Sequence, residues 1–171
     1  TVILGFLTND AVVGYYAASM RMAKISLAVL AAISIALLPR FSLLFHQKDN
    51  HAASELLNKS LRLVCFLSIP IAMGICCTAN EIISVFAGSE YMPSVNSLRL
   101  LSFLVVIIGL AQVFSNQILL PLKQEKKILY AAIVGVVVSL SLNFTLIPRF
   151  LHVGAAISAL LTEMVVTLML Y

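Results

Sequence analysis

The sequence predicts an all-α, polytopic transmembrane helix bundle, and two observations support this prediction. Hydrophobic residues make up 61% of the 171 residues and charged residues only 11%, whereas a soluble domain carries roughly 25% charged residues. The apolar residues also form long runs, close to the roughly 20 residues that a helix needs to cross a bilayer. Closed barrels need short strands of alternating polarity, so helices are the spanning structure that fits these runs.

The apolar runs define the predicted spans in order. A partial span at residues 1-7 is followed by full spans, which we predict at residues 12-38, 63-86, 100-120, 128-147 and 153-171. The first and last runs reach the two ends of the sequence. We therefore expect residues 1-171 to be part of a longer protein that supplies further helices.

The connectors between the spans are short, with one exception. Pro39, Pro121 and Pro148 each stand where an apolar run ends, as expected for residues that interrupt helices. The long connector, residues 39-62, contains the stretch AASELLNKSL at residues 52-61, whose leucines fall at helical spacing with charged residues between them. This pattern predicts a short amphipathic helix lying at the membrane surface.

The distribution of basic residues predicts the orientation of the bundle. Successive connectors alternate between the two sides of a membrane, so residues 39-62 and 121-127 lie on the same side. These two connectors hold seven of the eleven Lys and Arg residues, namely Arg40, Lys48, Lys59, Arg62, Lys123, Lys126 and Lys127. The positive-inside rule makes this side cytoplasmic. The net charge of +4 thus reflects topology, and we expect membrane lipids but no nucleic acid as partners.

Arg21 and Lys24 are two cations inside the predicted span 12-38. A charged residue at the centre of a membrane helix costs roughly 2.5 to 3.5 kcal/mol on insertion scales, and such residues usually face a cavity and serve a function. Gly14, Ala17 and Ala28 continue the same spacing of three or four residues, so small residues flank both cations on one helix face. This face is predicted to line a cavity or a close contact.

A second register remains open for this span. Tyr15 and Tyr16 could mark the membrane interface, the span would then run over residues 25-45, and both cations would extend outward to the headgroups. That register would place Pro39 and Arg40 inside the membrane, which argues against it.

Polar residues also gather on single faces of the later spans. Gln112 and Asn116 stand one turn apart in the span 100-120, where they could join helices by hydrogen bonds or contact a polar substrate such as a sugar hydroxyl. Asn143 continues a face with Gly135 and Ser139 in the next span. Glu163, in the last span, could carry a proton, pair with Arg21 or Lys24, or form a purely structural salt bridge.

The histidines and cysteines, whose side chains could bind a metal or take part in catalysis, form no catalytic or metal-binding pattern. His46, His51 and His152 lie in connectors without metal-ligand spacing, and we interpret them as solvated loop histidines. The three cysteines lie in apolar surroundings and are interpreted as small hydrophobic residues. No phosphate-binding glycine loop, nucleophile elbow or catalytic acid pair is present in the sequence, so an enzyme and a cofactor are not expected.

Four stretches of the sequence carry a family resemblance. They are ILGFLTNDAVVGYYAASMRMAK (3-24), ALLPRFS (36-42), PIAMGICCTANEIISVFAGSEYMPSVNSLRLLS (70-102) and GAAISALLTE (154-163). In this order they resemble the polysaccharide flippase family, the Wzx-type repeat-unit exporters of the multidrug/oligosaccharidyl-lipid/polysaccharide superfamily. The resemblance covers nearly the whole chain, as the end of the seventh helix through the twelfth helix of a transporter with twelve to fourteen helices.

The resemblance implies a fold, an activity and a location. Residues 1-171 would be the C-terminal lobe of a two-lobed alternating-access transporter, with the N-terminal lobe as its partner. The whole protein would move an undecaprenyl-diphosphate-linked oligosaccharide across the bacterial cytoplasmic membrane. Arg21 and Lys24 occupy the helix whose cations that family associates with the diphosphate, and coupling to protons or sodium is possible in such a protein.

Three other functions, and a purely structural helical bundle, remain open at this point. A multidrug exporter of the same superfamily would favour acids over bases in its cavity, and this chain has few acids inside its spans. A lipid II flippase is a second relative of the same architecture. A membrane enzyme of polysaccharide assembly would need a large outer loop with catalytic acids or histidines, whereas the outer connectors here are short.

Overall fold

The structure is a computed structural model that describes residues 2–171. Its regular elements are all helical, and they follow the chain as α1 (Val2–Leu7), α2 (Asp10–His46), α3 (Asn50–Cys77), α4 (Ala79–Phe86), a 3-10 segment (Ser89–Ser94), α5 (Val95–Val113), a π-helical segment (Phe114–Leu119) and α6 (Glu125–Leu170). No strand interrupts the described part of the chain. The predicted all-α class is confirmed.

Four helical stretches are long and apolar enough to cross a membrane. They are Asp10–His46, Asn50–Cys77, Ser89–Leu119 and Glu125–Leu170. The last stretch contains two predicted spans, 128-147 and 153-171, so the structure agrees with a chain that passes several times through a bilayer. The assignment of these helices to one lobe of a larger bundle stays a prediction.

The turn between α2 and α3 is much shorter than the predicted connector 39-62. Helix α2 continues past Pro39 to His46, and α3 starts at Asn50. Asp49 caps α3 by accepting a hydrogen bond of 3.0 Å from the backbone N–H of Ala52. No glycine or proline follows before Pro70, so nothing ends the helix there. The short helix predicted at residues 52-61 is therefore not separate but forms the first turns of α3.

The predicted span 63-86 is divided at Thr78, where the backbone leaves the helical conformation between α3 and α4. Pro70 lies inside α3 without ending it, in agreement with the tolerance of membrane helices for proline. The Thr78 hydroxyl donates a hydrogen bond of 2.8 Å to the Gly74 carbonyl and satisfies part of the exposed end of α3.

Helix α6 is bent at a single residue. Leu151 has φ 51° and ψ −128°, a conformation that is strained for a residue with a side chain. Gly154 lies just beyond it, and a Cβ atom at that position would be only 2.3 Å from the Leu146 carbonyl oxygen. The glycine therefore allows the two halves of α6, residues 125-150 and 152-170, to meet closely at the bend.

Helix α5 lies at the centre of the bundle, in contact with α2, α3 and α6. Gly109 marks the closest approach, because a Cβ atom there would lie 3.1 Å from Leu30 of α2 and 3.2 Å from Val64 of α3. A buried apolar cluster ties α1, α2, α5 and α6 together; its members include Leu4, Tyr16, Ala23, Leu101, Leu104, Ile147 and Ala156. The polar residues of interest lie around this centre.

Candidate functional site

The outer face of α2 borders a cavity of about 350 Å³, which we call the Arg21 cavity. It opens between α2, the last residue of α4 and the segment that follows α4. Its lining residues are Gly14, Ala17, Ala18, Arg21, Met22, Phe86, Ala87 and Tyr91. Small side chains on α2 create the space, and Gly14 lies in contact with the Tyr91 ring. The ring of Tyr91 packs edge-on against Tyr15 with centroids 5.8 Å apart, which fixes its orientation.

The two cations of α2 are placed differently by the structure. Both side chains are exposed on the surface of the chain, but only Arg21 lines the cavity, while Lys24 lies outside it. The face that α2 buries in the bundle is another one, which includes Tyr16, Ala23 and Leu30. The face of α2 that carries Arg21 and Lys24 can therefore contact groups outside the described bundle.

Neither cation has a carboxylate partner within residues 2–171. The salt bridge found in this part of the chain joins Glu55 and Lys59. Glu163 instead lines a different cavity of about 430 Å³ between the two halves of α6, together with Gly135, Ser139 and Thr162 among others. The ion pair of Glu163 with Arg21 or Lys24, one of the hypotheses for this acid, is not formed in the structure.

Asn143 lines a third cavity, of about 300 Å³, between α1, α2 and α6. Its Nδ2 donates a hydrogen bond of 3.1 Å to the Ser139 hydroxyl, and Tyr16 and Leu4 form part of the opposite wall. The Asn143 amide oxygen and the Ser139 hydroxyl are polar groups that a small hydroxylated ligand could contact in this cavity.

The amides near the end of α5 lie where the helix widens into the π-helical segment Phe114–Leu119. Gln112 and Asn116 are partly buried, and Gln112 Oε1 has no hydrogen-bond partner among the described residues. Gln117 is fully buried, and neither atom of its amide is paired there. Buried amides normally bind protein or water, and π segments occur often at functional sites. Gln117 was not among the predicted site residues.

The structure also reveals a polar contact that the sequence did not predict. His152 Nδ1 lies 2.7 Å from the hydroxyl of Ser97, which is fully buried, and its ring packs edge-on against Tyr15. The interpretation of His152 as a solvated loop histidine is wrong, because the bend at Leu151 places it against α5 and α2. Since Ser97 is closed to solvent, this pair joins helices and does not present a nucleophile.

The predicted site residues therefore do not come together in a single site. Arg21, Asn143 and Glu163 line three different cavities, and Gln112 and Asn116 lie at the end of α5. Among residues 2–171 no group of three or more His, Cys, Asp or Glu side chains could hold a metal ion. The free cysteines Cys65 and Cys76 are partly buried, and Cys77 is exposed.

Four helical stretches long and apolar enough to cross a bilayer, in an all-α bundle, define a multi-pass α-helical membrane protein. The model of the family described as "Polysaccharide biosynthesis protein" matches residues 1–96, more than half of the chain. The chain belongs to this family, and the resemblance seen in its motifs is confirmed.

Curated relatives are similar over nearly the whole chain. A protein named as an O-antigen transporter in Escherichia coli (strain K12) is 28% identical over 166 residues, which is 97% of this chain and 40% of the relative. A protein named as a flippase, AglR, in Haloferax volcanii is 26% identical over 95% of this chain and 34% of its own length. A Shigella dysenteriae protein, also named as an O-antigen transporter, is 26% identical over 98% of this chain and 41% of its own length.

The chain spans two fifths or so of the length of these relatives, between 34% and 41%. No solved structure matches the chain significantly. The relatives are named as transporters and flippases.

Proposed function

We propose that residues 1-171 form the C-terminal lobe of a transporter that flips an undecaprenyl-diphosphate-linked oligosaccharide repeat unit across the bacterial cytoplasmic membrane. The relatives named as O-antigen transporters support this substrate class. The other lobe would complete the protein, and the two lobes would open alternately to either side. Residues 39-62 and 121-127 would face the cytoplasm.

The observation that carries the proposal is Arg21 on the wall of a cavity, with no carboxylate partner in residues 2–171. An arginine without an anionic partner in an apolar helix is costly, and an anionic ligand offsets that cost. Its planar guanidinium donates paired hydrogen bonds to phosphate oxygens, and these bonds are stronger when the donor is charged. Arg21 would therefore attract the diphosphate.

The remaining polar residues would contact other parts of the substrate or carry the coupling ion. Lys24 lies one turn from Arg21, close enough on the same face for a second phosphate. Gln112, Asn116 and Asn143 would donate or accept hydrogen bonds with sugar hydroxyls. Glu163 would carry a proton if transport is coupled to protons, and sodium is the alternative coupling ion.

Export by the full-length protein tests the role of Arg21. Arg21→Glu should abolish surface polysaccharide. Arg21→Lys should retain part of the export, because the positive charge remains while the paired N–H donors of the guanidinium are lost. Arg99→Glu is the matched control, since Arg99 is exposed on α5 and outside the Arg21 cavity. Protein levels in the membrane are measured in parallel. Normal export by Arg21→Glu at normal protein level would contradict the proposal.

A further inference from the structure

A small cavity near the α2–α3 turn lies apart from those described above. It has a volume of about 170 Å³ and is lined by Arg40 and Leu44 of α2 and by Ala52, Glu55, Leu56 and Lys59 of α3. We call it the turn cavity. It combines charges of both signs with leucine side chains, and the glycan transport proposed above does not use it.

The position of the turn cavity suits the interface between the hydrocarbon core and water. Helix α2 has 37 residues, so at 1.5 Å per residue it is about 55 Å long, whereas the hydrocarbon core is about 30 Å thick. At least one end of α2 must therefore project beyond the core. Arg40 lies about 9 Å before the end of the helix at His46, so when this end projects beyond the core, the long Arg40 side chain can reach the phospholipid headgroups.

In the turn cavity Glu55 and Lys59 form a salt bridge, while the Arg40 guanidinium and the second carboxylate oxygen of Glu55 remain available to a ligand. Lys59 Nζ donates a hydrogen bond of 2.6 Å to Glu55 Oε1. The Lys59 ammonium is thus the partner of the Glu55 carboxylate through one of its two oxygens. Glu55 Oε2 and the Arg40 guanidinium form no hydrogen bond or salt bridge to the side chains described in residues 2–171.

We propose that the turn cavity binds the phosphoethanolamine headgroup of a phospholipid. The phosphate accepts hydrogen bonds from the Arg40 guanidinium, and the primary ammonium donates to Glu55 Oε2. Leu44 and Leu56 contact the apolar part of the lipid next to the headgroup. Basic pockets between membrane helices are known to hold lipid headgroups, and the carboxylate adds selectivity for a headgroup that carries an N–H donor.

The presence of Glu55 distinguishes this ligand from other phosphate-bearing ones. A headgroup with phosphate but no amine, as in an anionic lipid or a diphosphate, can pair with Arg40 but brings no ammonium to Glu55 Oε2, the oxygen that Lys59 leaves free. A choline headgroup has a cation but no N–H group to donate. The turn cavity should therefore prefer phosphatidylethanolamine to both phosphatidylcholine and phosphatidylglycerol with the same acyl chains.

Native mass spectrometry of the full-length protein in detergent tests this preference with added lipids of matched acyl chains. The wild-type protein should bind phosphatidylethanolamine more tightly than phosphatidylcholine. Glu55→Gln should reduce this preference about two- to fivefold, the size expected for a pair that solvent can reach. Arg40→Gln should weaken the binding of both lipids, because both carry the phosphate.

Matched variants separate headgroup binding from changes in folding and surface charge. Lys59→Gln breaks the same salt bridge but leaves the Glu55 carboxylate, so it should keep or increase the preference for phosphatidylethanolamine. Glu125→Gln and Arg62→Gln remove exposed charges outside the turn cavity and should change nothing. Thermal unfolding checks that each variant is folded.

Three results would overturn the proposal. One is an unchanged lipid preference in Glu55→Gln. Another is tighter binding of phosphatidylglycerol than of phosphatidylethanolamine by the wild-type protein, which would identify a site for anionic lipids. The third is displacement of phosphatidylethanolamine by geranyl diphosphate, which would show that the cavity takes a prenyl diphosphate instead.

Discussion

At the scale of single residues, the space in the Arg21 cavity depends on side chains that are small. Ala17 and Ala18 line the cavity beside Arg21, and Gly14 brings the backbone of α2 next to the Tyr91 ring. The spacing of Gly14, Ala17 and Arg21 was visible in the sequence, because helical periodicity places them on one face. The aromatic wall formed by Phe86 and Tyr91 was not visible, because it comes from a segment about seventy residues further along the chain.

Filling the Arg21 cavity should reduce transport without unfolding the protein. Ala17→Leu adds bulk next to Arg21, and we expect surface polysaccharide export by the full-length protein to fall about tenfold at unchanged protein level, which corresponds to about 1.4 kcal/mol. Ala32→Leu is the matched control, because Ala32 is exposed on the same helix. Equal export by the two variants would show that the cavity does not receive the substrate.

Gly154 and Gly74 offer a matched pair for the bend in α6. A Cβ atom at Gly154 would lie 2.3 Å from the Leu146 carbonyl oxygen, while a Cβ atom at Gly74 would meet no atom within 4 Å. Gly154→Ala should destabilise the protein by about 1 to 3 kcal/mol because the backbone must shift, and its unfolding temperature should fall. Gly74→Ala should leave that temperature unchanged or raise it. A stable Gly154→Ala protein would show that the two halves of α6 are less close than described.

At the scale of elements, the apolar runs predicted helices correctly but not where they end. The sequence predicts residues 39-62 as a connector with a surface helix at 52-61, yet most of this stretch continues α2 and α3, because residues 50–69 contain neither glycine nor proline. The bend at Leu151 lies between the predicted spans 128-147 and 153-171, just after Pro148, so the sequence indicated it, whereas the break at Thr78 had no clear sequence signal. The bend also carries a tertiary contact that no local pattern shows.

The contact of Ser97 with His152 is such a tertiary contact, and it links α5 to the bend of α6. The two residues are 55 positions apart, so no short-range pattern could reveal the pair. The bend orients His152 toward α5, and the Ser97 hydroxyl satisfies its Nδ1. This hydrogen bond should help to hold a strained backbone in place.

Two buried serines of α5 test this link. Ser97→Ala leaves His152 Nδ1 without its partner and should cost about 1 to 3 kcal/mol of stability. Ser102→Ala should cost less, since the Ser102 hydroxyl only donates to the Arg99 carbonyl of its own helix, at 2.7 Å, and both serines are fully buried. Thermal unfolding of the two variants in detergent measures the difference. Equal loss of stability would mean that the contact with His152 adds nothing.

At the scale of the whole molecule, the chain forms a helical bundle whose cationic face points outward. Arg21 and Lys24 are exposed, and α2 buries a different face against α5 and α6. The sequence predicted the cationic face and the family, since both depend on local pattern. It did not predict that Arg21, Asn143 and Glu163 line three separate cavities, because the way helices pack decides which faces meet.

The exposed cationic face is what the proposed two-lobed transporter requires. A lobe that shares a central substrate pathway must present its binding groups on its own surface, where the other lobe can enclose them. The chain spans 34% to 41% of its relatives' lengths, and in the proposal the rest of the protein supplies the opposite wall. Substrate transfer by the complete protein therefore tests the proposal best.

The most direct measurement is flipping of a fluorescent undecaprenyl-diphosphate-linked oligosaccharide by the full-length protein in vesicles, read as loss of the label's accessibility to an external quencher. The wild-type protein should transfer the lipid-linked oligosaccharide, and Arg21→Glu should reduce transfer to the level of protein-free vesicles, while Arg99→Glu transfers normally. Equal transfer by Arg21→Glu and the wild-type protein would contradict the proposed role of Arg21. No transfer by a folded wild-type protein under an imposed proton or sodium gradient would contradict the proposed function itself.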